Sequence, residues 1–85
     1  MPYIKQIDRK GFSELTAAIE NSDLNCAGDL NFILTKTIHH YMKLFGETYG
    51  AYNEVIGALE CAKLELYRRK IAKYEDKKID ENGDV

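Results

Sequence analysis

Eighty-five residues at 9.8 kDa leave room for one domain. A chain this short hides only about 60% of its unfolded surface, so it often needs a disulfide, a metal or a partner to be comfortably stable. Twelve Lys and Arg against fourteen Asp and Glu give a net charge of −2, which excludes the basic footprint of a duplex nucleic-acid or membrane-surface binder. Charged residues make up 31% and hydrophobic residues 45%, which is globular rather than disordered composition. No apolar run approaches the roughly 18 residues that cross a bilayer. Residues 1–10 show neither an apolar signal core nor a small-residue cleavage site. Cys26 and Cys61 have no CxxC spacing, and they read as reduced thiols of a cytoplasmic protein, with Cys61 a buried structural cysteine.

Alternating patterning is confined to residues 2–7, so the spacing predicts an all-α chain after a short extended lead. Asp8 is placed to cap a first helix, on which Phe12, Leu15, Ala18 and Ile19 share a face. Asn21, Ser22 and Asp23 end it. After a loop at 25–28, Asp29 is placed to cap a second helix over 29–45, whose apolar positions Leu30, Ile33, Leu34, Ile38, Tyr41, Met42 and Phe45 keep the three-four rhythm. Gly46 stands where a helix terminates in the left-handed region.

A short break at 46–48 then leads into a third helix over about 49–74, with Tyr52, Val55, Ile56, Leu59, Ala62, Leu66 and Tyr67 as its main stripe and Glu65 paired with Arg69 on its exposed side. At 1.5 Å per residue it spans roughly 39 Å, against roughly 25 Å for the second helix. The overhang needs cover. On an ideal helix Leu64 and Ile71 fall to one side of the main stripe and widen the apolar arc to about 200°, where a single-faced helix needs little more than 100°. Gly57 and Cys61, four apart beside that arc, make a small patch for close backbone approach. These four residues are the expected oligomer interface, and a bundle of three helices completed by homo-oligomerisation is the expected architecture. Residues 1–74 are expected to form one helical domain and residues 75–85 a charged tail.

Charge is segregated along the third helix. Residues 63–73 carry five cations and one carboxylate, a net +4, whereas residues 75–85 carry two cations and five anions, a net −3. Basic residues late in a helix suit its macrodipole. They also suit an anion: Arg68 and Arg69 offer forked donors to phosphate, Lys70 and Lys73 add point charges, and Tyr67 and Tyr74 offer stacking faces for a base. In the plain alternative these cations are solvated or pair with Glu75, Asp76 and the acidic tail.

Other constellations are weaker. The opening Met1-Pro2-Tyr3-Ile4 is similar to that of the tautomerase superfamily, in which an N-terminal proline acts as general base; that fold needs a parallel strand where this chain has its strongest helix, at 29–45. His39 and His40 point about 100° apart on a helix and do not suit one metal ion. Cys61 with either histidine lacks an orienting acid. Asp80, Asn82 and Asp84 alternate like the start of a calcium loop, but the glycine is misplaced and no glutamate closes the loop. No metal or cofactor is expected.

The run Tyr52-Asn53-Glu54-Val55-Ile56-Gly57-Ala58-Leu59-Glu60-Cys61-Ala62-Lys63-Leu64-Glu65-Leu66-Tyr67-Arg68-Arg69, with Tyr74-Glu75-Asp76, the ending Asn82-Gly83-Asp84-Val85, the opening Met1-Pro2-Tyr3-Ile4-Lys5-Gln6 and the step Gly28-Asp29-Leu30-Asn31, resembles a family of short uncharacterised proteins of phages and prokaryotic mobile elements. The resemblance spans nearly the whole chain and implies an accessory role without naming an activity. Those proteins usually have proline before the Tyr-Glu-Asp step, where this chain has Lys73. In size and architecture the chain is also similar, more loosely, to oligomeric helical anti-defence proteins that sequester nucleotide signals. The resulting expectation is a non-catalytic, cytoplasmic homo-oligomer that holds a small phosphate-bearing nucleotide through Arg68, Arg69, Lys70 and a tyrosine. The alternative is an interaction module that docks a host or phage protein on Leu64 and Ile71, and an N-terminal-proline enzyme ranks third.

Overall fold

A computed structural model describes residues 4–85. It is all-α, with three helices, the C-terminal one longest, and no strand among the described residues. The chain divides between Leu44 and Phe45 into two units.

The first unit contains a 3₁₀ helix, Gln6–Phe12, which takes in the last two residues of the expected extended lead and the start of the expected first helix. The Asp8 N–H already donates to the Lys5 carbonyl at 2.9 Å, so Asp8 lies inside a tight turn and does not cap the first α-helix. Helix α1, Ser13–Glu20, starts from Phe12 without a side-chain cap. It ends where expected: the Asn21 backbone and side-chain amides both donate to the Ala17 carbonyl, and the Ser22 hydroxyl donates to the Ile19 carbonyl at 2.7 Å.

Helix α2, Ala27–Phe45, begins two residues before its expected start. Its first carbonyl acceptor is that of Cys26, which takes the N–H groups of Asp29 and Leu30 at 3.1 and 3.3 Å. Asp29 therefore sits in the first turn, not at the cap, and its Oδ2 reaches back to accept the Asn25 N–H at 2.9 Å. The bond lies one residue outside a capping box, since it takes the N–H of Asn25, the residue before the Cys26 cap. The Asn25 N–H, followed by the Cys26 thiol, holds the Asp29 carboxyl below the usual carboxylate value. At the other end Gly46 has φ +81°, the left-handed stop its position predicts.

The second unit is one long helix, α3. Thr48 caps it, its Oγ1 accepting the Ala51 N–H at 3.2 Å. The helix runs through Tyr49–Leu66, winds into a π turn over Tyr67–Ile71 and continues as Ala72–Asn82, in all 34 residues. It passes the expected end at Tyr74 by eight residues. Lys73 stands where a proline would stop it, and the Lys78–Glu81 pair at 3.1 Å and Lys78 over the Tyr74 ring support the polar extension. Gly83, at φ +83°, closes it by donating its N–H to the Ile79 carbonyl at 2.8 Å. Within this unit Ala51 alone is buried, and Tyr52, Ile56, Leu64, Leu66, Ile71 and Tyr74 are all exposed.

No helix among the described residues is long and apolar enough to cross a membrane.

Candidate functional site

The basic cluster and the π turn are the same stretch of chain. Tyr67, Arg68, Arg69, Lys70 and Ile71 make up the turn, and the Ala72 N–H closes it by donating to the Tyr67 carbonyl, five residues back instead of four. A π turn amounts to one extra residue wound into an α-helix, and such turns recur at functional sites. Here the extra residue packs three cations into a single turn.

Glu65 organises the arginines. Its Oε1 accepts from Arg68 Nη2 at 3.4 Å and from Arg69 Nε, so one carboxylate serves two guanidinium groups. The Glu65–Arg69 pair is the one the spacing predicts. Among the described residues none of the four cations Arg68, Arg69, Lys70 and Lys73 pairs with Glu75, Asp76 or the tail; Glu75 accepts from the Tyr67 hydroxyl instead. Arg68 and Arg69 keep side chains 66% and 55% exposed, so both forks still face solvent. Lys70 and Lys73 have no ion-pair partner among the described residues. Lys63, at the start of the segment, pairs with Glu60 at 3.2 Å.

The tyrosines are less available than the sequence suggests. The Tyr67 hydroxyl donates to Glu75 Oε2 at 2.6 Å, and this bond, with the carboxylate's charge, raises the Tyr67 phenol above its ordinary value of 10.0. One face of the Tyr74 ring carries Lys78 Nζ, 5.5 Å from its centroid. A stacked base would have to use the other face.

The four expected interface residues divide into two pairs. Gly57 is open: a Cβ built there meets nothing within 4 Å. Cys61 is exposed rather than buried, because no second layer lies over that side of α3 within its unit, and neither cysteine forms a disulfide. Leu64 and Ile71 are 52% and 39% exposed, but Ile71 is the last residue of the π turn, whose extra residue sets it back by about 100°, so the two no longer share the arc that an unbroken helix would give them.

Other candidates are dispersed. His39 and His40 are both exposed on α2, and no three His, Cys, Asp or Glu side chains converge on a metal position among the described residues. Asp80 and Asn82 belong to the helix, so no calcium loop forms. Pro2 lies outside the described residues.

The site is thus a cationic turn on one face of a long helix, and the molecule is an all-helical protein. Residues 1–85 match the family described as Domain of unknown function (DUF6899), and the chain belongs to that family. No curated protein and no solved structure matches it.

Proposed function

We propose that the protein is a non-catalytic binding protein that works as an assembly of its own copies and seats a phosphate-bearing nucleotide on the basic turn of α3. One observation carries the ligand half: Arg68, Arg69, Lys70 and Lys73 crowd onto adjoining turns, and among the described residues Glu65 is the one carboxylate paired with any of them. Surplus positive charge held on a rigid element attracts phosphate, and exposed guanidinium forks bind it bidentately. The assembly half is supported by the apolar side chains that α3 leaves in solvent. The role proposed is accessory, after the sequence's resemblance to short phage and mobile-element proteins, and the looser similarity to nucleotide-sequestering helical proteins makes it an anti-defence role in the host cytoplasm.

Isothermal titration calorimetry with a panel of linear and cyclic nucleotides tests the ligand half. Arg68→Ala combined with Arg69→Ala lowers affinity at least tenfold, and Glu65→Gln raises it by releasing both guanidinium groups. Unchanged affinity in the double variant, or no binding by the natural sequence, overturns it. A second reading, favoured by the exposure of Leu64 and Ile71, is a module that docks a host or phage protein; it requires a monomer in isolation, which light scattering distinguishes from an assembly.

A further inference from the structure

The π turn decides which residues of α3 share a face. A step of about 100° per residue puts Tyr52, Val55, Leu59, Ala62 and Leu66 on one stripe and leaves Ile71 more than 100° away on an unbroken α-helix. With one extra residue wound into the 67–71 turn, every later residue is set back by about 100°, and Ile71 and Tyr74 fall into line behind Leu66. The apolar stripe then runs from Tyr52 to Tyr74 without a break. Val55 and Leu59 on it are half-buried, and Tyr52, Leu66, Ile71 and Tyr74 are exposed.

We infer that this stripe seats the same stripe of a second copy, with the two α3 helices antiparallel and crossing near Lys63, and that the π turn sets their register. The inference deepens the assembly half of the proposed function and rests on it. Charge selects the occupant. Residues 49–62 carry Glu54 and Glu60 and no cation, whereas residues 64–77 carry Arg68, Arg69, Lys70, Lys73 and Lys77 against Glu65, Glu75 and Asp76. The midpoint between Tyr52 and Tyr74 is residue 63. An antiparallel crossing there lays the stripe on itself and sets the acidic half of each helix against the basic half of the other. A parallel pair sets like charge on like in both halves, and it aligns the helix dipoles unfavourably as well. Lys63 at the crossing is already paired with Glu60, so two copies meet there without a bare like-charge contact.

The test is a distance. Full-length protein carrying Cys26→Ser, Cys61→Ser and Asp80→Cys is spin-labelled at position 80 and measured by double electron–electron resonance, beside light scattering. The antiparallel pair puts the labels roughly 50 Å apart; a parallel pair brings them within roughly 20 Å. A short distance in an assembled protein overturns the antiparallel arrangement and leaves self-assembly standing. A monomer with full helical circular dichroism overturns both. Ile71→Asp is expected to give a helical monomer, and where that variant loses helicity Tyr52→Asp provides the same reading from the other end of the stripe. Either variant assembling with an unchanged distance shows that the stripe is not the seat.

Discussion

The Tyr67 hydroxyl donates to Glu75 Oε2 at 2.6 Å across eight residues of one helix. On an unbroken α-helix residues eight apart point about 80° away from each other, and the extra residue in the π turn closes that angle to about 20°. The hydrogen bond therefore reports the turn. It holds the phenol in its neutral form, so its contribution is complete below the ordinary tyrosine value of 10.0 and is lost as pH rises through the raised value in the folded chain. In an ultraviolet titration the Tyr67 phenol is expected to give a late component above its ordinary value. Tyr67→Phe removes this late component and Glu75→Gln lowers it. A late component that survives Tyr67→Phe belongs to another residue and contradicts the bond.

Deleting Lys70 separates the shape of the turn from its charge. Without the extra residue the i→i+4 ladder is restored, while the segments on either side keep their relative orientation. The late-ionising tyrosine and the assembly should therefore persist. Relative to Lys70→Ala, the deletion raises the melting temperature, since a strained turn is replaced by regular helix. Both variants lose nucleotide affinity, and a larger loss in the deletion assigns the difference to the crowding of Arg68, Arg69 and Lys73. Loss of the late-ionising tyrosine in the deletion shows that the turn is not a single inserted residue.

What the sequence made legible is local. The apolar rhythm of α2, the glycine after Phe45, the break before Tyr49 and the Glu65–Arg69 pair each depend on residues within a turn or two of each other, and all are present. Asp8 and Asp29 were misplaced for one reason: an acidic side chain is favourable both at a helix cap and in the first turn, so residue type alone does not fix which of the two it occupies. The end of α3 is not legible, because residues 75–82 lack an apolar stripe, although Lys and Glu are good helix formers that extend a helix already nucleated. The π turn did leave a trace. Ile71 and Tyr74 run one residue out of phase with the stripe that ends at Leu66, and that slip reads either as a second apolar face or as an inserted residue. The basic cluster was legible from composition, but the spacing favours both Arg68 (i,i+3) and Arg69 (i,i+4) as partners of Glu65 and does not say that one carboxylate serves both.

Asp29 gives α2 an acid-sensitive start. The Asn25 N–H and the Cys26 thiol lower its carboxyl below the ordinary aspartate value of 3.8, so their contribution is present above about pH 4 and is lost as pH falls through the depressed value in the folded chain. Asp29→Asn should lower the melting temperature at pH 7 and flatten its fall on the acid side, because the asparagine has no charge to lose. Melting followed by circular dichroism from pH 2.5 to 7 checks this at one fixed protein concentration, since assembly makes melting concentration-dependent. A variant whose acid profile parallels that of the natural sequence assigns the sensitivity to other carboxylates.

Gly46 isolates a pure backbone cost. Its φ of +81° lies in the left-handed region, and a Cβ added there meets nothing within 4 Å, so no packing change accompanies a substitution. Gly46→Ala should destabilise the chain by about 1 kcal/mol, the strain of an L-residue in that region. Gly46→Asn should cost less, because asparagine tolerates this conformation better than other side chains. Thermal melts of the three proteins at one concentration give the order glycine, asparagine, alanine. An alanine variant as stable as the natural sequence means that the 46–48 connection adopts another conformation, and that α2 and α3 are joined by a different turn.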